Sequence, residues 1–204
     1  MENSLPLVSV LWRLAGLFCH QLPDRSPQFL GVVFPLCFRC AGLYLSLLTA
    51  FVSLAVDGGC RRRLPELRCA VWISLLTVPL LVDGWANVLG LWSSPGWVRA
   101  LTGVGVGLVL PLLLVPLAQR AGPGTIDLLK PTVSTPMALV PPIVISLALL
   151  WLVVHPMRLW IFQALAIAAS LAPPIFLFTF LLAGWRNRAL FSRALAVASR
   201  EVPC

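Results

Sequence analysis

Five long apolar segments constrain this chain more than any other feature of its sequence. They cover residues 35–56, 70–91, 100–118, 137–154 and 159–183. A helix needs about 20 mostly apolar residues to cross a bilayer. Because 59% of the residues are hydrophobic and only 11% are charged, the chain lacks the polar surface that a soluble domain requires. The sequence therefore predicts an all-α, polytopic transmembrane bundle of about five spans, surrounded by lipid.

We interpret residues 1–204 as a single membrane domain. Its expected parts are an N-terminal segment at residues 1–34 and three spans at residues 35–118. A loop rich in Gly and Pro follows at residues 119–136, and two further spans with a basic tail occupy residues 137–204. The first apolar stretch is short and contains Arg13, so we expect an interfacial or half-inserted helix there. In the third span, Gly103 and Gly107 have the spacing typical of close helix packing.

Basic residues fall mainly on one side of these spans. Ten of the fifteen lie in the loops of that side and in the C-terminal tail, namely Arg61, Arg62, Arg63, Arg68, Arg120, Lys130, Arg186, Arg188, Arg193 and Arg200. Since cytoplasmic loops carry the excess of Lys and Arg, we expect a cytoplasmic C-terminus and a location in a bacterial inner membrane.

The basic residues stand between apolar runs and do not form one exposed basic face. A net charge of +8 therefore does not indicate a nucleic-acid partner.

Four residues with metal-ligating side chains precede or open the first span. Cys19 and His20 lie shortly before it, and Cys37 and Cys40 form a Cys-x-x-Cys pair at its start, where Pro35 is expected to begin the helix. Cys and His are the usual ligands of tetrahedral zinc, although adjacent residues seldom both reach one ion. The sequence therefore suggests a zinc site on the extracytoplasmic side. Ordinary buried cysteines and a redox-active pair are the alternatives.

Four further polar residues lie within or beside the spans, near the same predicted side. Asp83 and Asn87 are one turn apart on the second span, Arg99 opens the third, and Arg39 stands between the two cysteines of the first. A carboxylate inside a span is costly and normally faces a partner or a polar cavity. We expect Arg99 to pair with Asp83, with Arg39 as the competitor. The four are candidate catalytic or pocket residues, and the alternative is a purely structural ion pair.

The residues around the cysteines resemble a known family. The similarity lies in Cys19-His20-Gln21-x-Pro23-x-Arg25-Ser26, Pro35-x-Cys37-x-Arg39-Cys40-x-Gly42-x-Tyr44, Asp83-Gly84 and Arg99-x-x-Thr102-Gly103. These motifs resemble an uncharacterised prokaryotic integral membrane family, the domain of unknown function DUF2085, over about the first half of the chain. A recurring Asp-Gly-x-x-Gln feature of that family is replaced here by the neighbourhood of Asn87. The resemblance implies a membrane protein with a Cys/His site and supplies no activity.

Three functions from different classes fit these features. The first is a membrane protein with an outer-face zinc site, structural or catalytic, acting on an unidentified small molecule or lipid. The second is a thiol–disulfide oxidoreductase that passes electrons from Cys37 and Cys40 to a membrane quinone, although a second cysteine pair for electron relay is missing. The third is a small-solute transporter, which is disfavoured because the inner halves of the spans carry few polar side chains. The sequence does not decide whether the protein is an enzyme.

Overall fold

The structure is a computed structural model that describes residues 6–56, 65, 67–118, 136–155 and 157–198. Most of these residues are helical. In chain order the α-helices are α1 Pro6–Gly16, α2 Phe38–Val56, α3 Leu67–Leu75, α4 Val78–Val88, α5 Gly96–Ala118, α6 Val140–Val154 and α7 Leu159–Ala198. Short 3-10 helices lie at Pro23–Arg25 and Pro136–Leu139.

The predicted helical bundle is confirmed. Within the described residues, four apolar stretches are long enough to cross a membrane: Cys69–Val88, Gly96–Val115, Met137–Val154 and Leu159–Leu182. The first predicted span corresponds to a shorter apolar helix, Phe38–Leu54. The second predicted span is interrupted between α3 and α4, where Pro79 lies in the first turn of α4 and has no backbone N–H to continue the helix.

The helices present apolar side chains to their surroundings. On α4, Leu81, Trp85 and Val88 are 54%, 66% and 79% exposed. A soluble monomer rarely exposes a continuous apolar surface of this kind, whereas the acyl chains of a bilayer solvate it. The structure and the sequence composition therefore agree on a multi-pass membrane location.

Helices α2 and α5 lie side by side at backbone contact. A side chain at Gly42 would overlap the carbonyl of Ala100, and one at Gly103 would overlap the carbonyl of Arg39. Gly107 meets α2 in the same way one turn further along, so the predicted small-residue packing is confirmed. From Gly103 to Gly107 on α5, the contacted carbonyl on α2 advances from Arg39 to Leu43, so the two helices run parallel. The N-termini of α2 and α5 therefore lie at one end of the bundle. We call it the cysteine end, because Cys37 and Cys40 lie at the start of α2.

The N-terminal segment covers the cysteine end. After α1 the chain forms an antiparallel hairpin of β1 Gln28–Phe29 and β2 Val32–Val33. Its turn places Leu30 and Gly31 at φ 48° and 78°, as a two-residue hairpin turn of type I′ requires. Phe34 is fully buried after the hairpin, with its ring 5.1 Å from that of Phe162 on α7. The all-α prediction missed this hairpin because strands of two residues show no alternation pattern.

Several predictions concern residues that the structure does not describe. The loop 119–136 lies outside the described residues except for Pro136, and so do Arg61, Arg62, Arg63, Arg120, Lys130 and Arg200. The charge-based orientation and the division of the chain into parts therefore stay predictions.

Candidate metal centre and polar network

The thiols of Cys19, Cys37 and Cys40 converge at the cysteine end. Their sulfur atoms all lie within 4.8 Å of one another. Cys19 is buried after α1, whereas Cys37 and Cys40 are half-buried at the start of α2. Zinc–sulfur bonds of about 2.3 Å place the sulfurs of a tetrahedral site about 3.8 Å apart. The three thiols therefore need only a small adjustment to bind one ion.

The start of α2 differs from the prediction. The helix begins at Phe38, and the carbonyl of Cys37 accepts the first helical hydrogen bond, from Ala41 N–H at 2.8 Å. The expectation that Pro35 is the first helical residue is therefore wrong. Pro35 lies outside the helix, and its carbonyl accepts a hydrogen bond from the side-chain amide of Gln21 at 3.1 Å.

Backbone N–H groups surround the sulfur of Cys19. This sulfur accepts hydrogen bonds from the N–H of Gln21 at 3.5 Å and of Cys37 at 3.3 Å. Hydrogen bonds from the Cys37 and Cys40 thiols, supplemented by these N–H groups, lower the pKa of Cys19 to about 2. These hydrogen bonds favour the thiolate form of Cys19 over its thiol.

Gln21 positions the two halves of the cluster relative to each other. Its side-chain amide donates to the carbonyl of Trp12 at 2.6 Å as well as to that of Pro35, and so ties α1 to the approach to α2. Its backbone adopts φ 48°, which turns the N–H towards Cys19. In the sequence, Gln21 stands out only as part of the motif that begins at Cys19, and its position directly after the Cys-His pair was the available signal.

His20 lies outside the thiol cluster. Its side chain is exposed, and within the described part of the chain the grouped ligand atoms are the three sulfurs. The structure therefore brings together three of the four residues predicted to bind zinc. A ligand role for His20 stays a prediction.

The four predicted pocket residues form a connected polar network at the same end. Arg39 on α2 makes an ion pair with Asp83 on α4. The Asn87 amide donates to Oδ1 of Asp83 at 3.1 Å, and Oδ1 of Asn87 accepts a hydrogen bond from Arg99 at 2.9 Å. The expected Arg99–Asp83 pair is therefore wrong. Arg99 faces Asn87, one turn further along α4, and the competitor Arg39 reaches the carboxylate.

Ser94 completes this network and was not singled out in the sequence. Its side chain is buried, and its hydroxyl oxygen accepts hydrogen bonds from Asn87 at 2.9 Å and from Nε of Arg99 at 3.1 Å. The Ser94 carbonyl also accepts from Nε of Arg99, at 3.0 Å. The Ser94-Pro95 pair directly before α5 was the available signal, because Ser and Pro mark helix starts.

The fold and the two clusters define a multi-pass α-helical membrane protein with three converging thiols at one end of its bundle. Residues 19–113 match the family described as predicted membrane protein, DUF2085. The chain belongs to this family, as its motifs suggested. The matched region contains both clusters and ends within α5.

Two archaeal proteins illustrate the similarity. An uncharacterized protein of Methanothermobacter thermautotrophicus is 32% identical over 98 residues, which cover 47% of this chain and 82% of the relative. An uncharacterized protein of Methanocaldococcus jannaschii is 27% identical over 119 residues, which cover 57% of this chain and 74% of the relative. No solved structure matches the chain. Because both relatives are archaeal, the bacterial inner membrane stays a prediction.

Proposed function

We propose that the protein binds one zinc ion through Cys19, Cys37 and Cys40 on the extracytoplasmic side of the membrane. The observation that carries this proposal is the convergence of three sulfurs within 4.8 Å, contributed by two separate segments of the chain. Thiolates select zinc over hard cations such as magnesium and calcium. Zinc binding would displace the protons of Cys37 and Cys40, which links metal affinity to the folding of the N-terminal segment.

Three protein ligands leave one coordination position of a tetrahedral ion for another group. Catalytic zinc sites use this arrangement, with water or substrate in the fourth position. The polar network supports such a role because Arg39 stands between the two ligands of α2 and is paired with Asp83. A small molecule or lipid held by this network would lie beside the metal. The extracytoplasmic location is inferred from the distribution of basic residues along the sequence.

A second candidate function is thiol–disulfide exchange. The observation that favours it is the Cys19 thiolate next to two thiols, since a thiolate is the attacking species in this chemistry. Oxidation of the Cys19 thiolate and one neighbouring thiol to a disulfide releases two electrons and one proton, and a membrane quinone would accept these, take a second proton from water and become a quinol. A disulfide would also remove two zinc ligands, so the two functions exclude each other at any one moment.

Metal analysis of the full chain purified in detergent tests the first function, and thiol alkylation before and after reduction tests the second. We expect about one equivalent of zinc per chain, lost in Cys37→Ser and in Cys40→Ser. Cys69→Ser is the matched control, because Cys69 is as buried as Cys19 but packs in a different cluster, with Ile73 and Leu112. Metal-free protein with a disulfide would replace the first function by the second. Metal-free protein with free thiols would contradict both.

A further inference from the structure

Two guanidinium groups at the cysteine end share a single carboxylate. Among the described residues, the ion pair between Arg39 and Asp83 is the only one. Arg99 is half-buried, and its hydrogen bonds go to neutral groups, the amide oxygen of Asn87 and the hydroxyl and carbonyl of Ser94. The charge of Arg99 therefore has no anionic partner in the part of the chain that the structure describes.

A third arginine adds to this excess of positive charge. Arg25 lies close enough to Arg99 for its charge to act on it, together with that of Arg39. Asp83 is the carboxylate whose charge acts on Arg99 in the opposite sense. Three guanidinium groups are thus balanced by one carboxylate, and like charges in a partly buried site repel unless an anion joins them.

Arg39 also has an unused hydrogen-bond donor. Its Nε is buried and has no hydrogen-bond partner among the described residues, while its side chain as a whole is 31% exposed. A buried donor without a partner is unfavourable. The planar fork of an arginine binds two oxygens of a phosphate or carboxylate at once. The unpaired donor therefore adds a second, independent indication of a missing oxygen ligand.

From these observations we infer that Arg39 and Arg99, assisted by Arg25, bind a phosphate-type oxyanion at the cysteine end. The N-terminus of α5, at Gly96, adds a partial positive charge at the same place. Asp83 and Asn87 hold the two guanidinium groups in position. The anion is either the headgroup of an acidic phospholipid or a soluble phosphate. The inference does not require zinc and stands apart from the proposed metal site.

The test uses the full chain in a detergent without phosphate groups, with two probes in parallel. Inorganic phosphate and short-chain phosphatidylglycerol are each titrated while the thermal unfolding midpoint is followed, and zinc content is measured on the same samples. We expect a saturable rise in the midpoint with one probe or both, and the active probe identifies the source of the anion. Arg99→Gln should weaken the affinity about tenfold or more. Arg158→Gln, at an exposed arginine between α6 and α7, should leave it unchanged.

A second variant keeps the test decisive if Arg99→Gln does not fold. Arg25 is exposed, so Arg25→Gln should fold like the wild type, and we expect it to weaken anion binding because it removes one of the three positive charges. The absence of a shift with both probes would overturn the inference, and so would equal affinity in wild type, Arg99→Gln and Arg25→Gln. If the protein binds the anion but contains no zinc, only the proposed metal site is contradicted. If it contains zinc but does not bind the anion, only this inference is contradicted.

Discussion

Arg39 on α2 and Asp83 on α4 form an ion pair across 44 residues of sequence. The pair joins two helices at the level where three thiols converge, and Arg39 lies between two of those thiols along the chain. A change in the ion pair therefore acts on the thiol cluster through the first turn of α2.

Removing one partner of the ion pair should destabilise the protein, and removing both should restore much of the loss. Asp83→Leu leaves the guanidinium of Arg39 without its carboxylate, and we expect a loss of ~1–3 kcal/mol in the free energy of unfolding. The value lies below that of a fully buried pair because the Arg39 side chain is 31% exposed. Arg39→Leu/Asp83→Leu should be more stable than Asp83→Leu. Thermal unfolding in detergent measures both, and a double variant as unstable as the single one would contradict the prediction.

The contact between α2 and α5 should not tolerate a methyl group at Gly103. In Gly103→Ala the new Cβ would overlap the backbone carbonyl of Arg39, so the helices must separate, at a cost of ~1–3 kcal/mol. Gly84→Ala is the matched control, since nothing lies within 4 Å of that position. Alanine favours a helix over glycine by ~1 kcal/mol, so the control should be neutral or stabilising. Equal thermal stability of the two variants would show that the packing is looser than described.

The side chain of Gln21 should be needed for tight metal binding although it is not a ligand. Gln21→Ala removes the hydrogen bonds that hold Cys19 against the start of α2, and we expect the zinc affinity to fall ~10–100-fold. Competition with a chromophoric chelator measures this. His20→Ala is the comparison, and we expect its affinity to stay close to wild type because the side chain is exposed. A loss in His20→Ala as large as that in Cys19→Ser would instead make His20 the fourth ligand.

The cysteine end should face the outside of the cell. In a variant without the native cysteines, Trp97→Cys should react with a membrane-impermeant thiol reagent on intact cells, because Trp97 is 61% exposed at the start of α5. Arg188→Cys should react only after permeabilisation, since the basic tail is expected in the cytoplasm. The reverse labelling pattern would invert the topology and place the thiol cluster on the cytoplasmic side.

Local spacing was sufficient to predict parts of both clusters. Cys37 and Cys40, and likewise Asp83 and Asn87, are close in sequence, so helical periodicity alone brings their side chains together. The partner of Asp83 was not predictable in this way. Arg39 and Arg99 both lie at the cysteine end of their helices. Which of them pairs with Asp83 depends on the position of α4 along α2 and α5.

The sequence by itself determined the class of protein, because apolar runs of membrane-spanning length leave a chain no soluble alternative. It also indicated that the polar residues meet at one end, since the first and third spans begin on the side where the second span ends. The tertiary structure alone decided that Cys19 joins the thiol cluster while His20 stays exposed, and that Ser94 and Gln21 complete the two sites. These outcomes depend on contacts between segments distant in sequence, such as the hydrogen bonds of Gln21 with Trp12 and Pro35. Such contacts follow from the packing of whole helices, which the spacing of residues within one helix does not encode.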